Sequence, residues 1–329
     1  RATCVCLPDE VSQINDDGIR VKMPIRDRDG LVELHSKTAP GDVRAAGPND
    51  VDPADFDLVA LAMQEPQYRS SGVRELLDAV AKSGKPCMSI MNMPPLPFLA
   101  RIPSLANIDL TGCYTDASVW ANFDPNLITL ASPDPQAFRP PDEPINVLQV
   151  SLPTNFKVAR FPSDAHTAIL TDLQRDIEAI RFPVDGEDVA LPVKLKVHES
   201  VFVPLAKWCM LLTGNYRCVQ SDEMRSIRDA VHSDLDASRD MYNWVAALCR
   251  QLGAAAESQV PFEKYARAAN GLAKPSSAAR ALAAGAPNIE RVDLITKTIA
   301  DHLGESSAML SEIVTLVNGW LEKNRKAAA

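Results

Sequence analysis

The chain has 329 residues, 46% of them hydrophobic, and its 43 acidic and 34 basic side chains give a formal net charge of −9. This apolar fraction suffices for a buried core and excludes a disordered chain, while the length predicts two domains at roughly 100–200 residues each. The acidic balance argues against nucleic acid or an anionic membrane surface as a partner, because such binding needs a surplus of basic side chains.

The cysteines and histidines predict neither disulfides nor a metal site. The seven cysteines are an odd number spread over a long chain, which favours reduced thiols in a cytoplasmic protein. Cys4 and Cys6 share one face of a predicted strand, and the histidines show no metal-ligand spacing. No apolar run approaches the roughly 20 residues of a membrane helix, and no leader sequence opens the chain. We therefore predict a soluble protein of the cytoplasm that holds no metal.

The N-terminal half has the pattern of an open α/β sheet. Two short alternating segments joined by an Asp-Gly turn predict an antiparallel ribbon. A nearly continuous apolar run, then a helical stripe and another apolar run, predicts a βαβ unit with strands buried in a parallel sheet. The predicted strands cover residues 2–7, 18–23, 31–34, 56–63, 86–91 and 110–114, with a helix over 70–83.

The character of the sequence changes twice after this unit. Prolines crowd between residues 123 and 162, which favours short strands and loops because proline lacks a backbone donor. A helix over 163–180 follows, with Ser163 as its N-cap. The remaining segments are all helix-patterned, so we predict a boundary near 185–188 and domains over 1–186 and 187–329. The predicted helices of the second domain cover 193–213, 222–253, 262–272, 276–285 and 288–323.

The order of these features resembles the ketopantoate reductases, or 2-dehydropantoate 2-reductases. In the α/β half the resemblance is carried by the buried strand at 53–62 and by the strand that ends at Asn92. In the helical half it is carried by Lys194-Leu195 at the start, Pro275-Ser276-Ser277, and Glu290. The resemblance spans nearly the whole chain. It implies an α/β Rossmann-like N-terminal domain followed by an all-α C-terminal domain.

For function, the resemblance implies reduction of a 2-keto acid to the 2-hydroxy acid, a step of pantothenate biosynthesis, with NADP as cofactor and NAD as the alternative. A lysine of this family donates the proton to the ketone oxygen, and the matching residue here is Lys194, with Lys196 as a second choice. Such an ammonium stabilises the negative charge that hydride transfer builds on that oxygen. The alternative for Lys194 is a solvated lysine at a helix start.

The resemblance also implies a set of contacts to cofactor and substrate. Each has a structural alternative: Asn92 as a turn residue, Ser276 as the N-cap of a helix, and Glu290 as a solvated glutamate whose family place falls on Ile289 without a gap. The implied cofactor-binding residues are Met63, Gln64, Gln67, Asn92 and Glu290. The implied substrate-binding residues are Asn92, Lys194, His198, Ser276 and Ser277.

Several positions depart from the family pattern. Gln64 stands where the family has a lysine, and His198 and Phe202 stand where it has asparagines. The G-x-G-x-x-G phosphate loop is absent from the sequence, and the chain starts at what resembles the family's second strand. We therefore expect about 25–30 upstream residues to be missing, the length of a first strand, loop and helix. The arginine that marks NADP use aligns near Leu7, so these residues do not favour NADP over NAD.

Two other functions stay open. One is an opine-type or other 2-hydroxy-acid dehydrogenase, in which His198 would be the acid–base group. The other is a non-catalytic homologue that keeps the fold, which the departures at Gln64, His198 and Phe202 favour. The apolar segment 309–320 fits either packing within one chain or the interface of a homodimer through the helical domain.

Overall fold

We describe a computed structural model of the chain, in which residues 1–132, 137–151 and 154–328 are described. Pro133, Pro135 and Pro153, which belong to the proline-rich segment, lie outside these residues. The strands are β1 Ala2–Val5, β2 Arg20–Met23, β3 Val32–His35, β4 Val43–Ala46, β5 Val59–Leu61, β6 Cys87–Ile90, β7 Ile128–Ser132, β8 Ala137–Phe138, β9 Val147–Val150, β10 Thr154–Ala159, β11 Arg181–Val184, β12 Glu187–Ala190 and β13 Val193–His198. The α-helices are α1 Pro8–Asp17, α2 Val73–Ser83, α3 Leu96–Leu99, α4 Asp164–Ala179, α5 Phe202–Leu205, α6 Lys207–Met210, α7 Ile227–His232, α8 Leu235–Gln251, α9 Phe262–Ala269, α10 Ser277–Ala283, α11 Val292–His302 and α12 Ala308–Ala328.

A five-stranded sheet with the order β13-β10-β7-β6-β5 forms the centre of the α/β half. Strands β5, β6 and β7 are parallel to one another, whereas β10 is antiparallel to β7 and β13 is parallel to β10. The predicted βαβ unit is confirmed as β5, α2 and β6. Because β5, β6 and β7 run the same way, their carboxyl ends share one edge of the sheet.

Smaller sheets flank this centre. The predicted ribbon is confirmed, since β2 and β3 pair antiparallel within a sheet of order β3-β2-β9-β8, and β1 and β4 form a parallel pair. The strand predicted at 110–114 is wrong. That segment holds a 3₁₀ turn, Thr111–Cys113, because the Asp109 carboxylate accepts hydrogen bonds from the amide and hydroxyl of Thr111.

The helix predicted over 193–213 is also wrong in its first part. Residues 193–198 form β13, in which Lys194 and Lys196 are exposed and Leu195 is buried. This alternation has the period of a strand, and pairing with β10 selects it over a helix. The first helix of the second half is α5, which begins at Phe202.

The predicted domain boundary at 185–188 coincides with the turn of the hairpin β11–β12, where Asp185 and Gly186 both have positive φ. The sheet continues past that turn to β13, so part of the sheet belongs to the predicted helical domain. Ser163 caps α4 as predicted, since its hydroxyl accepts a hydrogen bond from the His166 amide.

The two halves share one hydrophobic core. Buried side chains of the sheet and its loops, such as Leu61 and Phe98, belong to the same cluster as Trp208 and Val317 of the helical half. A second, smaller cluster lies between the sheet and α4 and includes Leu170. Within the described residues, no helix combines the length and apolarity that crossing a membrane requires.

Candidate functional site

The carboxyl ends of β5 and β6 meet the helical half at one place. The loop after β5 contains Glu65, the loop after β6 contains Asn92 and Met93, and the segment before α11 contains Glu290. Met93 is fully buried, and its sulfur accepts a hydrogen bond from the Arg291 amide at 3.2 Å. Ligands of open α/β sheets bind at this edge. We call this group of four residues, Glu65, Asn92, Met93 and Glu290, the cleft cluster.

Glu290 is the most unusual group of the cleft cluster. Only 8% of the residue is exposed. Burial raises the pKa of its carboxyl to about 7, although hydrogen bonding from the amides of Met93 and Glu65 and from the Asn92 side chain lowers the pKa in opposition. Its Oε1 atom is buried and receives no hydrogen bond of ordinary geometry from the described residues. Oδ1 of Asn92 is buried and unpartnered in the same way.

Glu65 is a second buried carboxylate of the cleft cluster, and the sequence analysis missed it. Its carboxylate accepts hydrogen bonds from the amide of Thr115 at 2.9 Å and from the Thr115 hydroxyl at 2.8 Å. Burial raises its pKa, and these hydrogen bonds oppose the shift. The charge of Glu65 also raises the pKa of Glu290. A signal existed in the sequence, because Glu65 directly follows Gln64 after the apolar strand.

The helical side of the cleft cluster is held by Tyr216 and by an ion pair. The Tyr216 hydroxyl donates to the carbonyl of Glu290 and accepts from the amide of Val292 at 3.0 Å. Arg291 binds Asp293 through two hydrogen bonds of 3.0 and 2.9 Å, and Asp293 is fully buried. These contacts fix the backbone that presents Glu290 to the sheet. No motif in the sequence pointed to Tyr216.

Three of the residues predicted from the α/β half lie at the rim of this region. Met63 is half-buried, and its amide donates to the Tyr68 hydroxyl at 3.1 Å. Gln64 and Gln67 are exposed, and the Gln67 side chain accepts a hydrogen bond from the Gln64 amide at 2.9 Å. This bond closes the 3₁₀ turn Glu65–Gln67.

The structure does not bring Lys194 or His198 to the cleft cluster. Register places Lys194 beside Asn155 on β13, which lies three strands from β6, or about 14 Å at the usual strand spacing of about 4.8 Å. His198 ends the same strand, half-buried, with burial lowering its pKa and with Nε2 unpartnered among the described residues. The premise that Lys194 begins a helix facing the cofactor is wrong, because the residue is exposed on an outer strand.

The other predicted residues of the helical half lie around α10. Ser276 is the N-cap of α10, accepting from the Ala279 amide at 3.2 Å and donating to the carbonyl of Asn215 at 2.7 Å. Ser277 is exposed. The first turn of α5 contains no lysine, and the first lysine of the helical half after β13 is Lys207, which is half-buried.

Known proteins match this chain in structure, whereas comparison by sequence finds no match. No protein-family model matches the sequence, and no curated protein matches it significantly. A ketopantoate reductase from Ralstonia eutropha is similar in structure, with a TM-score of 0.64 and 14% identity over 98% of this chain and 91% of that chain. D-mandelate dehydrogenase in a ternary complex with NADH and anilino(oxo)acetate has a TM-score of 0.63 and 11% identity over 98% of this chain and 91% of that chain. Dimeric ketopantoate reductase from Staphylococcus aureus has a TM-score of 0.59 and 9% identity over 98% of this chain and 100% of that chain.

These similarities establish the fold. The chain has the architecture of the ketopantoate reductases along nearly its whole length, with a Rossmann-like sheet followed by a helical region. The predicted resemblance and fold class are thus confirmed.

Proposed function

We propose that this protein is a nicotinamide-dependent oxidoreductase that reduces a 2-keto acid to the 2-hydroxy acid. The observation that carries the proposal is the convergence of Asn92 and Glu290 at the carboxyl end of β6, in a fold shared with D-mandelate dehydrogenase. Ketopantoate is the first substrate to test. NADP, which the resemblance implies, is the first cofactor to test, and NAD is the alternative, since the D-mandelate dehydrogenase complex contains NADH.

The residues at this edge fit a nicotinamide group in their hydrogen-bonding character. Oδ1 of Asn92 is a buried acceptor that receives no hydrogen bond from the described part of the chain, and a carboxamide supplies N–H donors. Met63, Gln64 and Gln67 would line the approach from β5, and Glu290 offers a second acceptor. The bound cofactor would supply the hydride, while the chain would orient the carbonyl carbon and provide a proton to its oxygen.

The proton donor is a lysine in this proposal. Lys194 is the residue that the resemblance implies, and its exposed position on β13 requires the substrate to reach beyond the cleft cluster. Lys207 at the start of α6 is the second lysine to test, because it lies on the helical segment that follows β13. Ser276 and Ser277 would contact the substrate from α10, and His198 is the acid–base group under the opine-type alternative.

A titration with a matched control tests this proposal. Protein that includes any upstream residues is titrated with NADPH and NADH by fluorescence, and ketopantoate turnover is measured on the same samples. Lys194→Ala, Lys196→Ala and Lys207→Ala are compared with Lys326→Ala, which removes an exposed lysine from the last turn of α12. The proposal expects nucleotide binding in all variants and loss of turnover in one of the first three. Failure of both nucleotides to bind at millimolar concentration would refute it.

A second function, a non-catalytic homologue, is favoured by the packing of the cleft cluster. Met93 is fully buried and Glu290 is nearly so, which leaves the cleft filled by the chain's own side chains. The first turn of α5 also lacks the lysine that the resemblance implies at the start of the helical half. Absence of turnover with any 2-keto acid, despite nucleotide binding, would favour this function.

We also propose a homodimer in the cytoplasm. The support is a structural neighbour described as dimeric and the long helix α12, whose segment 309–320 is largely apolar. Sedimentation velocity distinguishes a monomer from a dimer, since a dimer has twice the monomer mass of 35.8 kDa.

A further inference from the structure

Two arginines of the helical half, Arg217 and Arg225, lie together without a carboxylate partner. Only 8% of Arg217 is exposed, and Arg225 is half-buried. Nε of Arg225 donates to the carbonyl of Arg217 at 2.9 Å, so the two residues are in direct contact. Nearby arginines such as Arg228 and Arg239 form ion pairs with carboxylates, whereas these two form none with any described residue. We call Arg217 and Arg225 the arginine pair.

Both guanidinium groups of the arginine pair donate to neutral acceptors at one corner of the helical half. Nη1 of Arg217 donates to the Ser238 hydroxyl at 2.6 Å and to the carbonyl of Thr213 at 3.3 Å. Nη1 of Arg225 donates to the Ser233 hydroxyl at 3.3 Å. Ser233 ends α7, and Ser238 lies in the first turns of α8. The two charges therefore meet at the corner between α7 and α8, where their hydrogen-bond acceptors carry no charge.

The arginine pair keeps further donors that reach solvent. Nε and Nη2 of Arg217 and Nη2 of Arg225 donate to no described residue, and the fold encloses none of these atoms. Burial lowers the pKa of Arg217, and the charge of Arg225 lowers it further. Asp234 and Glu312 oppose this shift from a distance, since Asp234 accepts from the Ala237 amide at 2.9 Å and Glu312 is exposed. Two like charges thus lie together with donors still unused on their solvent side.

We infer that the arginine pair binds a phosphate group at the corner between α7 and α8. A largely buried guanidinium without a counter-charge is costly, and a second one beside it adds repulsion, so an anion that contacts both is stabilising. The planar N–H donors of arginine match phosphate oxygens, and a phosphate dianion balances two positive charges, whereas a carboxylate balances one. The exposed Ser233 hydroxyl accepts from Arg225 and can donate its own proton to the same anion. This site shares no residue with the cleft cluster.

A comparison of two arginine variants tests this inference. Melting temperatures of the wild type, Arg225→Gln and Arg228→Gln are measured in sodium phosphate and in sodium chloride of equal ionic strength, at about pH 8, where phosphate is a dianion. At phosphate concentrations about tenfold above its Kd, we expect the rise over chloride to be about 2 °C larger in the wild type than in Arg225→Gln. Arg228→Gln is the matched control, because Arg228 is exposed on α7 and pairs with Asp229, and it should keep the full response.

Equal phosphate responses in all three proteins would overturn the inference. Phosphate also stabilises folded proteins by exclusion from their surface, and this effect, like phosphate bound elsewhere, contributes equally to each variant. A difference of the same size between the wild type and Arg225→Gln in sodium acetate would refute phosphate as the ligand class. The same difference in glycerol phosphate would support the site and extend it to phosphate monoesters.

A second variant covers the case in which Arg225→Gln does not fold. Arg225→Lys keeps the positive charge but loses the planar set of donors, so it should lose most of the phosphate response. A full response in Arg225→Lys would count against the arginine pair. These measurements need neither nucleotide nor turnover, so their outcome is separate from that of the proposed function.

Discussion

The carboxyl of Glu290 should make the stability of this protein fall between acid and neutral pH. Its pKa is about 7 in the folded protein and 4.5 in the unfolded chain, because burial penalises the charged form. Because the native pKa lies above the unfolded one, the contribution of Glu290 to the free energy of unfolding is intact below pH 4.5. That contribution is lost as the pH rises toward 7. A shift of about 2.5 units corresponds to about 3 kcal/mol, at about 1.36 kcal/mol for each unit.

The substitution Glu290→Gln isolates this contribution. An amide of the same shape does not ionise, so the variant should gain about 2–3 kcal/mol over the wild type between pH 5 and pH 8. Urea unfolding followed by circular dichroism at pH 5, 6, 7 and 8 gives the two free-energy curves. Glu65 is present in both proteins, so its own titration largely cancels in the difference. Curves that stay parallel over this range would refute the assignment of the shift to Glu290.

Three further predictions concern the supports of the site, and each is checked by equilibrium or thermal unfolding. Asp293→Asn leaves the buried guanidinium of Arg291 without its partner and should cost about 3–5 kcal/mol, and a loss below 1 kcal/mol would contradict a buried pair. Tyr216→Phe removes two buried hydrogen bonds and should cost about 1–3 kcal/mol, whereas an unchanged urea midpoint would argue against them. Gly214→Ala places a methyl group against the Tyr265 hydroxyl and should cost about 1–3 kcal/mol, and an unaltered melting temperature would show that the ring moves freely.

Local patterns in the sequence determined the α/β core of the fold. The apolar run that became β5 and the helical stripe of α2 are recognisable because a buried strand and an amphipathic helix have different periods. The N-cap at Ser163 was equally predictable from the sequence. A hydroxyl just before a helix-patterned segment accepts a hydrogen bond from a backbone amide of the first helical turn. Such features depend on residues that are neighbours along the chain.

The sequence misled where two local patterns competed. Residues 193–198 alternate with the period of a strand but precede a long helical stripe, and only the pairing of β13 with β10 decides between them. The Asp185-Gly186 pair forms the turn of a hairpin at the place where the sequence predicts a domain boundary, and that boundary stays a prediction. The placement of Lys194 depended on this choice, because a strand exposes it at the edge of the sheet.

The cleft cluster was decided by tertiary structure alone. Asn92 and Glu290 were named from the sequence. The position of Glu65 next to Gln64 was a signal for a site residue but not for burial, and no motif indicated that Tyr216 would hold the backbone of Glu290 and Val292. These residues are separated by up to 225 positions, from Glu65 to Glu290. The pKa of Glu290 is raised because the surrounding loops exclude water, and exclusion of water is a property of the folded chain. Sequence determines which groups can ionise, while packing determines the free energy of their ionisation.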